Sequence, residues 1–71
     1  MRIVYEKDDY VFVYRNEKLL LVRVNCVYMR NDGTYNYIVS PFRKLIEDGI
    51  TINSFSVEEE DIMKYHITPG V

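Results

Sequence analysis

The chain has one cysteine and one histidine among its 71 residues. A lone Cys26 cannot close an intrachain disulfide, and Cys26 with His66 falls short of the soft donors that a zinc cage needs. Long apolar runs are also missing. The longest uninterrupted stretch is Tyr10–Tyr14, far below the about 20 residues of a membrane-spanning helix. No alanine occurs, glycine is scarce, and Tyr, Asn, Ile and Lys are plentiful. That usage suggests an AT-rich genome of viral type.

What is present is a dense apolar complement. Hydrophobic residues make up 48% of the chain and aromatics 14%, which excludes a disordered chain. A single domain spanning residues 1–71 is expected. A domain of this size buries only about 60% of its unfolded surface. With disulfides and metals excluded, self-association is the remaining source of stability, so a homo-oligomer, most simply a homodimer, is expected. The charged opening residues (Arg2, Glu6, Lys7, Asp8, Asp9) argue against a signal peptide, and an unpaired thiol suits a reducing compartment. The expected location is cytoplasmic, with no membrane partner.

Charge is segregated along the chain. Residues 15–44 hold Arg15, Lys18, Arg23, Arg30, Arg43 and Lys44 against Glu17 and Asp32, giving +4. Residues 45–71 set Lys64 against six carboxylates, giving −5, within a net charge of −2.

Strand patterning dominates the first half. Residues 1–6, 10–15, 18–30 and 34–40 are rich in Val, Ile, Tyr and Phe and broken by polar turns at 7–9, 16–17 and 31–33. A two-residue Asn16-Glu17 turn pairs Val13 with Leu20 and Val11 with Val22. A two-residue Asp32-Gly33 turn pairs Tyr28 with Tyr37 and Cys26 with Val39. One face then carries Val11, Val13, Leu20, Val22, Val24, Cys26 and Val39. The other carries Ile3, Tyr5, Tyr10, Phe12, Tyr14, Leu19 and Leu21. Both faces are apolar, so one needs a cover from outside the sheet, or the sheet must curl over itself.

Ser40-Pro41 has the form of a helix start, with Phe42, Leu45 and Ile46 as an i, i+3, i+4 stripe and Gly49 as its stop. Residues 50–55 read as a fifth strand. Ser56 and Glu59 match a capping box opening a second, acidic helix, with Ile62, Met63 and His66 facing inward and Thr68-Pro69-Gly70 ending it. The expected fold is therefore α+β: an antiparallel meander of four to five strands with two short helices packed on one face.

Nothing in the pattern points to catalysis. No phosphate loop, dinucleotide fingerprint, zinc spacing or catalytic carboxylate pair is present, so neither enzyme activity nor a cofactor is expected. A Cys26–His66 dyad is outweighed by the ordinary role of a mid-strand cysteine as a small hydrophobe. The Glu58-Glu59-Glu60-Asp61 run could hold a hard cation or imitate a phosphate backbone, but helix-start physics already explains it.

Seven tyrosines with interleaved arginines suit two kinds of partner. Tyrosine buries much area while keeping a hydroxyl for one hydrogen bond, which favours protein interfaces. The same rings with Arg15, Lys18, Arg23, Arg30, Arg43 and Lys44 could stack bases and hold phosphates. The expected function is a small non-enzymatic protein-binding module, an inhibitor or regulator of the phage anti-defence or host-takeover kind. It would act by occupying a partner surface through Tyr5, Tyr10, Phe12 and Tyr14 or through Glu58, Glu59, Glu60 and Asp61. A nucleic-acid-binding regulator using the six basic residues is the alternative.

Overall fold

The computed structural model describes residues 4–62 of the chain. Six strands follow in order: β1 (Tyr10–Arg15), β2 (Lys18–Met29), β3 (Tyr35–Pro41), β4 (Leu45–Glu47), β5 (Ile50–Ile52) and β6 (Phe55–Glu58). A 3-10 turn at Glu59–Asp61 comes after them. β1, β2, β3 and β6 form one antiparallel sheet in that order, and β4 and β5 pair as a separate hairpin. No α-helix occurs among the described residues. The α+β expectation of two helices packed on a meander is thus corrected to an all-β arrangement.

The first expected helix gives way to strands for local reasons, and the described opening of the second gives way to a strand and a 3-10 turn. Ser40 does not cap a helix. It continues β3, and its hydroxyl accepts a 2.7 Å hydrogen bond from the Asn25 amide. Residues 45–52 form β4 and β5 around Asp48-Gly49, whose φ angles of 52° and 78° are those of a two-residue type I′ turn. The Gly49 read as a helix stop is a hairpin residue. Ser56 lies within β6, where it pairs with Ile38. The capped turn begins two residues later, where Asp61 accepts a 3.3 Å hydrogen bond from the Glu58 N–H. Met63, His66 and the Thr68-Pro69-Gly70 stop lie outside the described residues, as does Ile3.

The β1–β2 hairpin forms as its turn chemistry dictates. Asn16 and Glu17 take φ of 50° and 65°, and Val11 pairs with Val22 and Val13 with Leu20. The β2–β3 hairpin departs from expectation. Its loop holds three residues, Asn31-Asp32-Gly33, closed by Arg30 N–H to the Thr34 carbonyl at 2.7 Å and by Gly33 N–H to the Arg30 carbonyl at 3.0 Å. Gly33, at φ 86°, supplies the left-handed residue that this longer loop requires. The extra loop residue puts Tyr28 opposite Asn36 and Val27 opposite Tyr37. A β-bulge between Val24 and Cys26 then sets Val24, in the place expected of Cys26, opposite Val39. Cys26 is therefore exposed on the outer surface, not buried on the aliphatic face.

The core lies inside the curl of the sheet. Val11, Val13, Val22, Val24, Tyr37, Val39, Val57 and Ile62 are buried, with Tyr5, Leu20, Val27, Tyr35 and Phe55 packed around them. After the 3-10 turn, Ile62 forms an antiparallel bridge to Val13 on β1, so the chain returns from the β6 edge to the β1 edge. Residues 4–6 are not a strand; Tyr5 instead sets its ring edge-on to Tyr37 with centroids 6.0 Å apart. One apolar face is thus covered by the chain itself. Among the described residues nothing covers the other, where Tyr10, Phe12 and Tyr14 stay exposed.

Candidate functional site

Strand alternation builds the uncovered face. Because Val11 and Val13 point into the core, Tyr10, Phe12 and Tyr14 point outward, with exposures of 57%, 48% and 54%. Pairing sets Phe12 opposite Leu21 and Tyr14 opposite Leu19, which extends the apolar surface onto β2. Phe42 joins from the end of β3, held by its N–H donating to the Leu21 carbonyl at 2.9 Å. Its ring meets Tyr10 edge-to-face at 5.9 Å and remains 59% exposed. A shallow groove of about 390 Å³ opens along this face, walled by Phe12, Leu19, Leu21, Pro41 and Phe42 and bordered by Arg43 and Lys44. Such a contiguous apolar patch with a polar border has the anatomy of an interface core and rim.

Tyr5 is not part of this face. Its backbone N–H donates to the Tyr37 hydroxyl at 3.3 Å, and its ring packs on the core. Phe42, by contrast, belongs to the face and was hidden by its assignment to a helix stripe. The signal that could have found it is the Asp48-Gly49 hairpin dipeptide, which leaves no room for a helix across residues 41–49.

The acidic residues gather elsewhere, against the β2–β3 hairpin. Glu58 pairs with Arg30 at 3.0 Å. The Glu60 carboxyl is pushed above its ordinary range, first by its hydrogen bond to Glu58 and then by that neighbour's charge. A raised carboxylate adds stability below its ordinary titration range and loses it as pH rises, so this crowding opposes the fold at neutral pH. Among the described residues, no three His, Cys, Asp or Glu side chains gather as metal ligands.

The six basic residues do not form one patch. Arg15 makes a forked pair with Glu47, Nε to Oε2 at 2.9 Å and Nη2 to Oε1 at 2.8 Å, and lies 4.4 Å above the Phe55 ring. It therefore ties the β4–β5 hairpin to β1 and β6. Arg30 is held by Glu58. Lys18 closes the β1–β2 turn opposite Arg15, and Arg23 stands opposite Tyr10 with its Nη2 donating to the Asn25 Oδ1 at 3.3 Å. Only Arg43 and Lys44 border the groove. Neither forms an ion pair among the described residues.

The Arg15 hydrogen bond holds the Glu47 carboxyl below its ordinary range, with a further contribution from the arginine charge. A depressed carboxylate contributes stability above its unfolded titration range and loses it as pH falls through the folded value. Acidification is therefore expected to lower the melting temperature, and Glu47→Gln to flatten that acid limb. It should not abolish the limb, because Thr34 also holds Asp32 low. Thermal melts of both chains from neutral to acid pH check this; an unchanged acid limb in Glu47→Gln would remove the pair from the account.

Comparison with protein-family models, curated proteins and solved structures finds no match for this chain. Among the described residues, no helix is long and apolar enough to cross a membrane.

Proposed function

We propose that this chain is a small non-enzymatic protein-binding module, an inhibitor or regulator that sterically occupies a surface of another protein. The observation that carries this reading is the contiguous outward face of Tyr10, Phe12, Tyr14, Leu19 and Phe42, with half-buried Leu21 between them, which the described residues leave open while a core of eight buried side chains forms without it. Rings held by strand pairing lose little freedom on docking, so their burial converts efficiently into affinity. The acidic turn supports the reading less well, since Glu58 is already engaged by Arg30.

The test compares proteins captured from a host lysate by the wild-type chain and by Phe12→Ser. Phe12 is about half exposed, so the substitution leaves the fold in place, as a thermal melt would verify. A captured protein that survives Glu17→Ala at the hairpin tip but is lost with Phe12→Ser supports the reading. An identical capture set for wild type and Phe12→Ser rejects it.

A nucleic-acid reading retains one supporting observation, the placement of Arg43 and Lys44 beside exposed rings. It predicts binding of single-stranded oligonucleotides that weakens steeply with salt. Two features weigh against it: Arg15 and Arg30 are spent on internal carboxylates, and Phe42 meets Tyr10 edge-on, not as part of a flat stacking platform.

A further inference from the structure

We infer that the groove beside Phe42 receives an acidic segment of the partner protein, with one bulky apolar side chain as its anchor. This rests on the protein-binding reading above and adds the chemistry of what is bound. Apart from Arg43 and Lys44 the lining is apolar, with Phe12, Leu19, Leu21 and Phe42 as its outward-facing part. At about 390 Å³ the groove lies near the small end of ligand sites, which run from about 300 to 1,000 Å³. That space suits a single anchoring side chain.

The charge at its border decides what flanks the anchor. Among the described residues, Arg43 and Lys44 are the only charged side chains lining the groove, and no carboxylate lines it. The contrast with Arg15 and Arg30 is instructive, because each of those is matched by a carboxylate of its own chain, Glu47 and Glu58. The two groove cations await their counter-charge from outside. Two copies meeting groove to groove would set like cations against each other, so at this face charge complementarity favours a different, acidic partner. The anchor supplies the apolar burial, and flanking Asp or Glu residues reach the cations at the rim.

The test titrates the isotope-labelled full chain with three short synthetic peptides and with a single-stranded oligo-dT. The first peptide carries a central Leu or Phe among Asp and Glu. The second replaces that anchor by Ser, and the third replaces the acids by Lys. The acidic anchored peptide is expected to move the backbone amides of Phe12, Leu21 and Phe42. Losing the anchor or reversing the charge should each weaken binding by about tenfold or more. The double variant Arg43→Glu, Lys44→Glu should reverse the order of the acidic and lysine peptides. Both positions are exposed, so the fold survives, and Phe42→Ala offers a second check on the groove wall.

Equal affinity for acidic and lysine peptides, or shifts confined to other residues, would overturn the inference. So would binding of oligo-dT without binding of peptide, or a wild-type dimer that Phe42→Ala dissociates. If the peptides fail while Phe12→Ser still abolishes lysate capture, the partner chemistry is wrong and the protein-binding reading stands. If capture is also unchanged, that reading falls with it.

Discussion

Tyr37→Ala is expected to remove about a third or more of the chain's stability and to shift its urea midpoint sharply downward. Tyr37 is the largest side chain with no exposed surface, and it sits on β3 where β2, β6 and the N-terminal segment converge. Truncating a buried aromatic costs about 3–5 kcal/mol through lost transfer energy and an unfilled cavity. A domain of this length commands only roughly 4–10 kcal/mol in total. The Tyr37 hydroxyl adds a smaller increment, since it accepts the Tyr5 N–H at 3.3 Å. Tyr37→Phe keeps the ring and should lose about 1 kcal/mol. Burial pushes the Tyr37 phenol up from its ordinary value, so it stays protonated and the acceptor geometry holds across the neutral range. Urea denaturation followed by circular dichroism separates the two variants. A Tyr37→Ala chain that melts like wild type would mean that this core is not what holds the sheet curled.

Ile62→Ala is the second large effect, and it is expected to open the seam between the two edges of the sheet. Ile62 is 3% exposed and makes the bridge to Val13, itself fully buried on β1. Its N–H also closes the 3-10 turn by donating to the Glu59 carbonyl at 3.2 Å. The side-chain loss alone amounts to about 2–5 kcal/mol. Amide exchange should report where it is felt: faster exchange along β1, with the β2–β3 ladder protected longer. Ile50→Ala serves as the matched control, because Ile50 is 63% exposed and surface changes usually stay within about 0.5 kcal/mol. Equal effects of Ile62→Ala and Ile50→Ala would show that the sheet is held by its ladders alone.

The two halves of the chain were unequally legible before the structure. In the β1–β2 hairpin, alternation and turn chemistry act on adjacent residues and agree. The register is set by Asn16-Glu17, and Val11, Val13, Val22 and Val24 fall inside as expected. The outward positions of Tyr10, Phe12 and Tyr14 follow from the same alternation. Beyond Val24 the period-2 pattern misleads, because one residue at the bulge changes the phase and sends Cys26 outward. Nothing in the identity of Asn25 announces that, since the bulge is matched to a loop one residue longer than Asp32-Gly33 implied.

The helix signals failed for a different reason. Ser40-Pro41 and Ser56 with Glu59 are sound local cues, but each cap is worth only about 1 kcal/mol, and helices this short do not stand without packing. Ser40 finds its hydrogen bond in Asn25, and residues 45–52 find a ladder around Asp48-Gly49. Asp-Gly signals a hairpin at 48–49 as much as at 32–33, and at 48–49 it forms the tighter turn. With residues 45–52 folded as that hairpin, Phe42 is free of any helix stripe and lines the groove. The pairing of Arg15 with Glu47 spans 32 residues, a contact that no local pattern encodes.

The bulge in β2 has a consequence for length variation. Asn25 is the surplus residue between Val24, paired with Val39, and Cys26, paired with Ile38. Removing it would join two stretches that already alternate in step, so inside would stay inside on both sides of the cut. A deletion inside Lys18–Met29 away from this bulge would turn one stretch over and carry its buried side chains into water. In this strand a one-residue gap is tolerable at the bulge, positions 25–26, and related chains that are shorter here should carry their gap there.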